Sequence, residues 1–196
     1  LSFASLHATK LMSALEGGII YSFSKKNLDK IVNYSNFGFG NKQTSFIGTN
    51  AKIDELRCAF ASNLLKQLPK IIQKRKKIYD KYLNEGLEKY VPNFIIDFEK
   101  TGNWNYSYLP IKINPRERDN LYNYLKENGI ITKKYFENII PDFYSYKINK
   151  ENWQFGSALP ISKEFSISMI CLPIYSSMNL REVKRVTSAI KTFMSS

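Results

Sequence analysis

The window most able to do chemistry is Ser5-Leu6-His7-Ala8-Thr9-Lys10, followed six residues later by Glu16-Gly17-Gly18. A lysine amine becomes a useful nucleophile toward aldehydes once desolvation or neighbouring cations lower its pKa. Lys10 is one lysine among many, and by itself it reads as a surface amine. Its setting is different: small and hydroxyl residues flank it, and a Glu-Gly-Gly turn ahead of a strand holds its loop. Other chemistry has little support. His7 is the single histidine, which argues against a histidine-based triad or a multi-histidine metal site. Cys58 and Cys171 show no metal-ligand spacing, and the carboxylates do not cluster as ligands. Phosphate-cradling glycine patterns are missing. The numerous aromatics follow no RNA-stacking or recognition-helix signature.

A length of 196 residues suits one domain or one and a half. With 43% hydrophobic and 23% charged residues the composition is that of an ordinary globular chain. The charge of +12 admits nucleic acid, anionic membrane or phosphorylated small molecules as partners. The joint abundance of Lys, Asn, Ile and Tyr offers a plainer source, codon bias in an AT-rich genome. Two cysteines cannot form a disulfide framework, so a reduced, cytoplasmic setting is expected. No apolar run approaches the roughly 18 residues of a membrane span, and no signal peptide is recognisable. The start at Leu1, inside an apolar stretch, reads as part of something longer.

The elements that must position Lys10 alternate along the chain. Ile19 to Phe23 reads as a strand after Gly17-Gly18, and Asn33 to Gly48 as a loop rich in Asn, Gly and Ser. A helix is expected from Asn50 as N-cap, with Asp54 and Glu55 in its first turns and Ile53, Leu56, Phe60, Leu64 and Leu68 on its apolar face. Pro69 suits the first turn of a second helix or a kink. From Lys70 to Glu88 the set Ile71, Ile78, Tyr82 and Leu83 faces one way, and Lys74, Arg75, Lys76, Lys77 and Lys81 form a solvated face. Tyr106 to Ile113 reads as a strand. Asn114-Pro115 caps a helix that Gly129 closes. Ile130 to Lys133 is extended, and Ile167 to Leu172 is an apolar strand ended by Pro173. The last helix opens at Asn179 with a capping box to Glu182 and buries Leu180, Val183, Val186, Ile190 and Phe193. This order argues for α/β or α+β, with one layer of helices over a small sheet.

With these residues placed, the chain resembles the DegT/DnrJ/EryC1/StrS type of sugar aminotransferase, which uses pyridoxal 5′-phosphate on a fold-type-I α/β scaffold. Ser5, Leu6, His7, Thr9, Lys10, Glu16, Gly17 and Gly18 match the signature around that family's Schiff-base lysine in order. Asn36-Phe37-Gly38 is similar to its Asn-x-Gly loop, and Gly48-Thr49-Asn50-Ala51-Lys52-Ile53-Asp54-Glu55-Leu56 to its Gly-x-Asn-x-basic helix start. Gly129 to Phe136 resembles the small-domain strand of members acting on dTDP-linked keto-deoxyhexoses, and Leu172-Pro173-Ile174-Tyr175 resembles the family's C-terminal end. The resemblance spans the whole chain and covers the C-terminal half of a family member.

The resemblance implies roles. Lys10 would hold the cofactor covalently and carry protons between donor and cofactor. Ser5 would hydrogen-bond the cofactor phosphate. Asn50 would reach the phosphate of the neighbouring subunit's cofactor, making the site a property of a homodimer. Lys52 matches a basic position near the site, His7 would support Lys10 from behind, and Tyr135 lies in the substrate-side segment. Glu16, Gly17 and Gly18 would shape the turn. Two positions depart from the pattern: Leu15, where some members have Gly, and Ser35, where a basic residue often stands. The Asp that pairs with the pyridinium nitrogen belongs to the half not matched here. Residues 1–68 would then close the large cofactor-binding domain, and 69–196 would form a linking helix and the small C-terminal domain. The implied function is transfer of an amino group from glutamate to a nucleotide-linked keto-6-deoxyhexose for surface polysaccharide, with neither metal, nucleic acid nor membrane involved. Rival readings are the dehydratase branch, which has His where Lys10 stands, a non-catalytic half that pairs with a partner, and a basic nucleic-acid binder.

Overall fold

The computed structural model describes residues 1–40, 46–91, 104–143 and 159–196, so residues 41–45 of the expected Asn33–Gly48 loop lie outside the described residues. The chain divides into two units, Leu1–Lys70 and Ile71–Ser196.

In the first unit, strand β1 (Ser2–Ser5) pairs antiparallel with β2 (Gly18–Tyr21), Ser2 opposite Tyr21 and Ser5 opposite Gly18. The expected strand therefore starts one residue early and stops short of Phe23. Helix α1 (Lys25–Ser35) follows, with the Ser24 hydroxyl accepting from the Asn27 N–H at 3.3 Å. The sequence reading has no helix here, because the first turn lacks an acidic residue and its apolar positions are only Leu28, Ile31 and Val32. Asn33, Tyr34 and Ser35 thus end a helix and do not begin a loop.

Asn50 is not an N-cap. It forms a backbone bridge with Asn36, and α2 (Glu55–Asn84) begins five residues later. Asp54 takes the capping part, its Oδ1 accepting the Arg57 N–H at 2.9 Å, where a carboxylate also meets the positive end of the helix. Pro69 lies inside this single 30-residue helix and starts no second one. Lacking an N–H, it leaves the Leu65 carbonyl without its helical donor. The expected apolar face of the first half is not buried. Leu56 is 83% and Phe60 48% exposed, while Ala61 is buried. Among the described residues this unit's core is Leu6, Ala14 and Ala61, with Met12 and Ile53 against it.

The second unit has a larger core. Strand β3 (Leu109–Lys112) pairs antiparallel with β4 (Met169–Leu172), Leu109 opposite Leu172. Lys133 bridges to Cys171 on β4, which agrees with the expected extended piece from Ile130. Both expected strands are shortened: Tyr106 to Tyr108 precede β3, and Ile167 and Ser168 end helix α5 (Pro160–Ser168). A short helix, α3 (Leu87–Tyr90), follows Gly86, whose φ is +76°. Helix α4 (Pro115–Glu127) is capped by Asn114, which accepts the Arg116 N–H at 3.0 Å. Its exit uses Gly129 at φ +67°, in the left-handed region that favours glycine. Helix α6 (Leu180–Met194) starts with the capping box of Asn179 and Glu182. It buries Val183, Val186 and Ile190, while Leu180, in its first turn, is exposed.

Ile78, Tyr82, Leu109, Ile111, Leu121, Leu125 and Ile170 meet in this core, and α4 packs on both α5 and α6. The Tyr82 hydroxyl donates to the Pro173 carbonyl at 3.0 Å, and burial, with help from nearby Tyr175 and Glu182, pushes its pKa up. Arg75 does not belong to a solvated face. Its Nη1 donates to the carbonyls of Tyr106 and Ser107, both at 3.1 Å, and burial lowers its pKa.

Candidate active site

The turn that carries Lys10 is built from both ends of the β1–β2 hairpin. The Leu6 N–H donates to the Gly17 carbonyl at 2.9 Å and the Ala14 N–H to the Leu6 carbonyl at 2.8 Å, closing the neck of the loop. Leu6 and Ala14 are buried below it. Within the loop the Lys10 N–H donates to the His7 carbonyl at 2.9 Å, and the Lys10 side chain is exposed on this chain. Gly17 has φ +151°, and a Cβ there would lie 3.0 Å from Ile53 Cδ1. The neck therefore abuts the segment leading into α2.

Polar side chains hold this turn locally. Ser5 Oγ accepts the His7 N–H at 3.3 Å. His7 Nδ1 accepts the Thr9 N–H at 3.3 Å and lies 2.9 Å from Thr9 Oγ1. On its other side His7 Nε2 is 3.3 Å from Glu16 Oε1. Glu16 thus does more than shape the turn, because it meets His7 across the loop. Leu15 has φ +67°, with its N–H donating to Ser13 Oγ at 3.0 Å.

The two other segments singled out by their spacing come together with each other. Phe37 N–H donates to Thr49 O at 3.1 Å, Thr49 N–H to Tyr34 O at 2.9 Å and Ala51 N–H to Ser35 O at 2.9 Å. Gly38 and Gly48 let these backbones touch: a Cβ on Gly38 would sit 1.9 Å from Phe46 O, and one on Gly48 2.1 Å from Gly38 N. Lys52 Nζ donates to Asn36 Oδ1 at 2.7 Å and stands 4.8 Å from the Phe37 ring centroid. Asn50 and Lys52 are thus held by the Asn36–Gly38 turn. Ser35 supplies a backbone carbonyl here, a task that needs no basic side chain.

Tyr135 stands in the second unit, its ring 5.1 Å from that of Tyr108 in edge-to-face contact. The sequence reading misses what surrounds it. A cavity of about 720 Å³ is lined by Tyr135, Phe136, Ile139, Ile140 and Phe143, which share one short segment, and by Phe165 from α5. Beside Tyr135, Lys134 binds Asp119 at 2.8 Å and Glu137 at 3.0 Å. Burial works to lower the Lys134 pKa, but these bonds outweigh it and hold it raised. The bond from Lys134 likewise keeps the Asp119 carboxyl below its usual range. Arg118, nearly buried, donates from Nε to the Ile167 carbonyl at 3.2 Å.

No group of three or more His, Cys, Asp and Glu suited to a metal occurs among the described residues. In the first unit the donors are instead a primary amine (Lys10), a hydroxyl (Ser5), an amide (Asn50) and a second ammonium (Lys52). They stand in two groups, Ser5 and Lys10 on the hairpin turn and Asn50 and Lys52 against Asn36. Their chemistry, a primary amine with neutral and cationic donors, is of the kind that suits a phosphorylated aldehyde.

The architecture is a mixed α/β arrangement that forms part of the fold-type-I aminotransferase fold. A solved aminotransferase of the DegT/DnrJ/EryC1/StrS group from Brucella abortus superposes with a TM-score of 0.83 at 20% identity, covering 99% of this chain and 51% of its own. The chain belongs to the DegT/DnrJ/EryC1/StrS aminotransferase family, which it matches over residues 1–191. It is similar to the dTDP-4-amino-4,6-dideoxy-D-glucose transaminase of Shigella dysenteriae, 31% identical over 195 residues, 97% of this chain and 52% of the relative. The Escherichia coli protein of the same description is 34% identical over 184 residues, 89% and 47% respectively. The chain spans about half the length of these curated relatives.

Proposed function

We propose that this chain is the lysine-bearing part of a transaminase that moves an amino group from glutamate to a dTDP-linked keto-6-deoxyhexose, in the cytoplasm, for surface polysaccharide such as O-antigen. The observation that carries this is Lys10 on a turn held by Ser5, His7, Thr9 and Glu16 in a chain of an aminotransferase family. The acceptor is taken from the two relatives' descriptions.

When bound, pyridoxal 5′-phosphate supplies the aldehyde to which Lys10 attaches and a ring that withdraws electrons. Lys10 Nζ is then the group that carries the proton leaving the donor's Cα. The Ser5 hydroxyl donates to the phosphate on the same subunit. Asn50, set by its bridge to Asn36, serves the phosphate across a homodimer interface, with Lys52 adding positive charge nearby. Tyr135 is assigned to the substrate by the resemblance of the Gly129–Phe136 segment. The charge of +12 suits a site that takes two anions, a cofactor phosphate and a nucleotide diphosphate.

The test is transfer from glutamate to a dTDP-4-keto-6-deoxyhexose by the complete reading frame that contains this chain. Lys10→Ala is expected to abolish it, a loss of at least about 10³-fold given covalent and acid–base roles together. Transfer that survives Lys10→Ala would refute the assignment. A second reading, a non-catalytic half that only pairs with a partner, draws on the chain's half-length match. It is favoured if the complete frame shows no transfer and no capture of pyridoxal 5′-phosphate at Lys10.

A further inference from the structure

Ser5, His7 and Thr9 are spaced two residues apart, and the first two each accept a backbone N–H from two residues ahead. Ser5 Oγ takes the His7 N–H and His7 Nδ1 takes the Thr9 N–H, both at 3.3 Å. Short polar side chains that bind backbone two residues on are a known way to hold a turn without regular structure. The Lys10 N–H then closes on the His7 carbonyl at 2.9 Å. An imidazole is larger than the usual Asn or Asp at such a place, and it has a second nitrogen. That nitrogen, Nε2, is 3.3 Å from Glu16 Oε1, on the return side of a loop whose neck is fixed by the Leu6–Gly17 and Ala14–Leu6 bonds.

The contacts favour one tautomer of the neutral ring. With Nδ1 accepting the Thr9 N–H, the hydrogen sits on Nε2 toward Glu16, and the Thr9 hydroxyl, 2.9 Å from Nδ1, is a second donor to it. Both nitrogens then face partners within the loop. Glu16 and His7 are each about half exposed or more, so their mutual attraction is weak. Most of the effect comes from the bond to the Thr9 backbone, one residue from Lys10.

We propose that His7, backed by Glu16, is a positioning residue for Lys10: it holds the turn that aims the amine and takes no part in proton transfer. The inference rests on the reading that Lys10 captures the cofactor, and its test separates the two.

The complete reading frame that contains this chain is incubated with limiting pyridoxal 5′-phosphate and reduced with borohydride, and the pyridoxyl label on each lysine is measured by peptide mapping. His7→Ala is expected to lower the share on Lys10 about five-fold, the factor that ~1 kcal/mol of lost hydrogen bonding corresponds to. His7→Asn, whose carboxamide oxygen can take the same Thr9 N–H, is expected to restore most of it. Unchanged labelling in His7→Ala overturns the inference, and so does an Asn variant as poor as Ala, which would point to a need for the imidazole itself. Nitrogen NMR of the wild-type ring is the second readout. In the neutral ring the hydrogen is expected on Nε2, as the Thr9 N–H contact to Nδ1 requires, and an even mixture of the two tautomers overturns the inference. If wild-type Lys10 is labelled no more than other lysines, the cofactor reading fails, and the ring spectrum still decides whether His7 holds the turn.

Discussion

Leu15 shows how one residue can be wrong for its backbone and still be kept. Its φ of +67° costs an L-residue roughly 1–2 kcal/mol relative to ordinary conformations, and its side chain is mostly exposed, so little packing offsets that cost. Glycine there removes the strain and gives back part of the gain through greater unfolded-state freedom. Leu15→Gly is therefore expected to raise stability by about 0.5–1 kcal/mol, seen as a denaturant midpoint shift at constant slope. A lower midpoint would show that Leu15 makes a contact worth more than its strain. The two cysteines differ as sharply. Burial pushes the Cys171 thiol up to about 11, while Cys58 is exposed. At pH 8 a disulfide reagent is expected to consume Cys58 quickly and Cys171 only after unfolding, since the thiolate is the reacting form. Two fast thiols in the folded chain would contradict this burial. The candidates Lys10, Ser5 and His7 could be singled out because one short window contains them. Arg75 was not, because its acceptors are the carbonyls of Tyr106 and Ser107, 31 and 32 residues away.

The elements divide by how local their causes are. Asn114 with Pro115, Gly129, and Asn179 with Glu182 set helix ends through bonds within four residues, and all were readable. At Asn179 the carboxamide oxygen accepts the Arg181 N–H at 2.9 Å and Glu182 Oε2 accepts the Asn179 N–H at 2.8 Å. Asn179→Ala keeps the second bond and loses the first, so a cost of about 1 kcal/mol is expected, measured by chemical denaturation of the second unit's signal. An unchanged midpoint would mean that solvent caps this helix equally well. Asn50 has the same side chain and a plausible position, yet it does not cap. The pairing of Tyr34–Phe37 with Thr49–Ala51 takes its backbone first, and that pairing depends on Gly38 and Gly48 touching across a loop. Helix α1 shows the reverse case, a helix with a good Ser24 cap and few apolar residues to announce it.

The two units of the molecule carry their apolar residues differently. The second buries a core from Ile78 through Ile190, each fully buried aliphatic side chain contributing roughly 1.5–3 kcal/mol. The first buries Leu6, Ala14 and Ala61 and leaves Phe3, Phe23, Ile47 and Leu56 exposed. Its ribbon has two strands, too few to be stable alone. Hydrogen exchange of this chain by itself is expected to show the amides of β3, β4 and α6 as the slowest and those of β1, β2 and the Lys10 turn as fast. Protection of β1 and β2 equal to that of β4 would refute the contrast. The sequence by itself determined the order of the motifs and the helix ends at Asn114, Gly129 and Asn179, and it singled out Lys10 as the candidate reactive amine. Those features depend on residues within a turn or two of one another, where side-chain type and spacing are enough. Only the tertiary structure decided that Leu56 and Phe60 stay exposed, that Asn36 meets Asn50, that Glu16 reaches His7 across the loop and that Tyr135 faces an apolar cavity. Each of these depends on which distant segments touch, and periodicity along one segment carries no record of its neighbours.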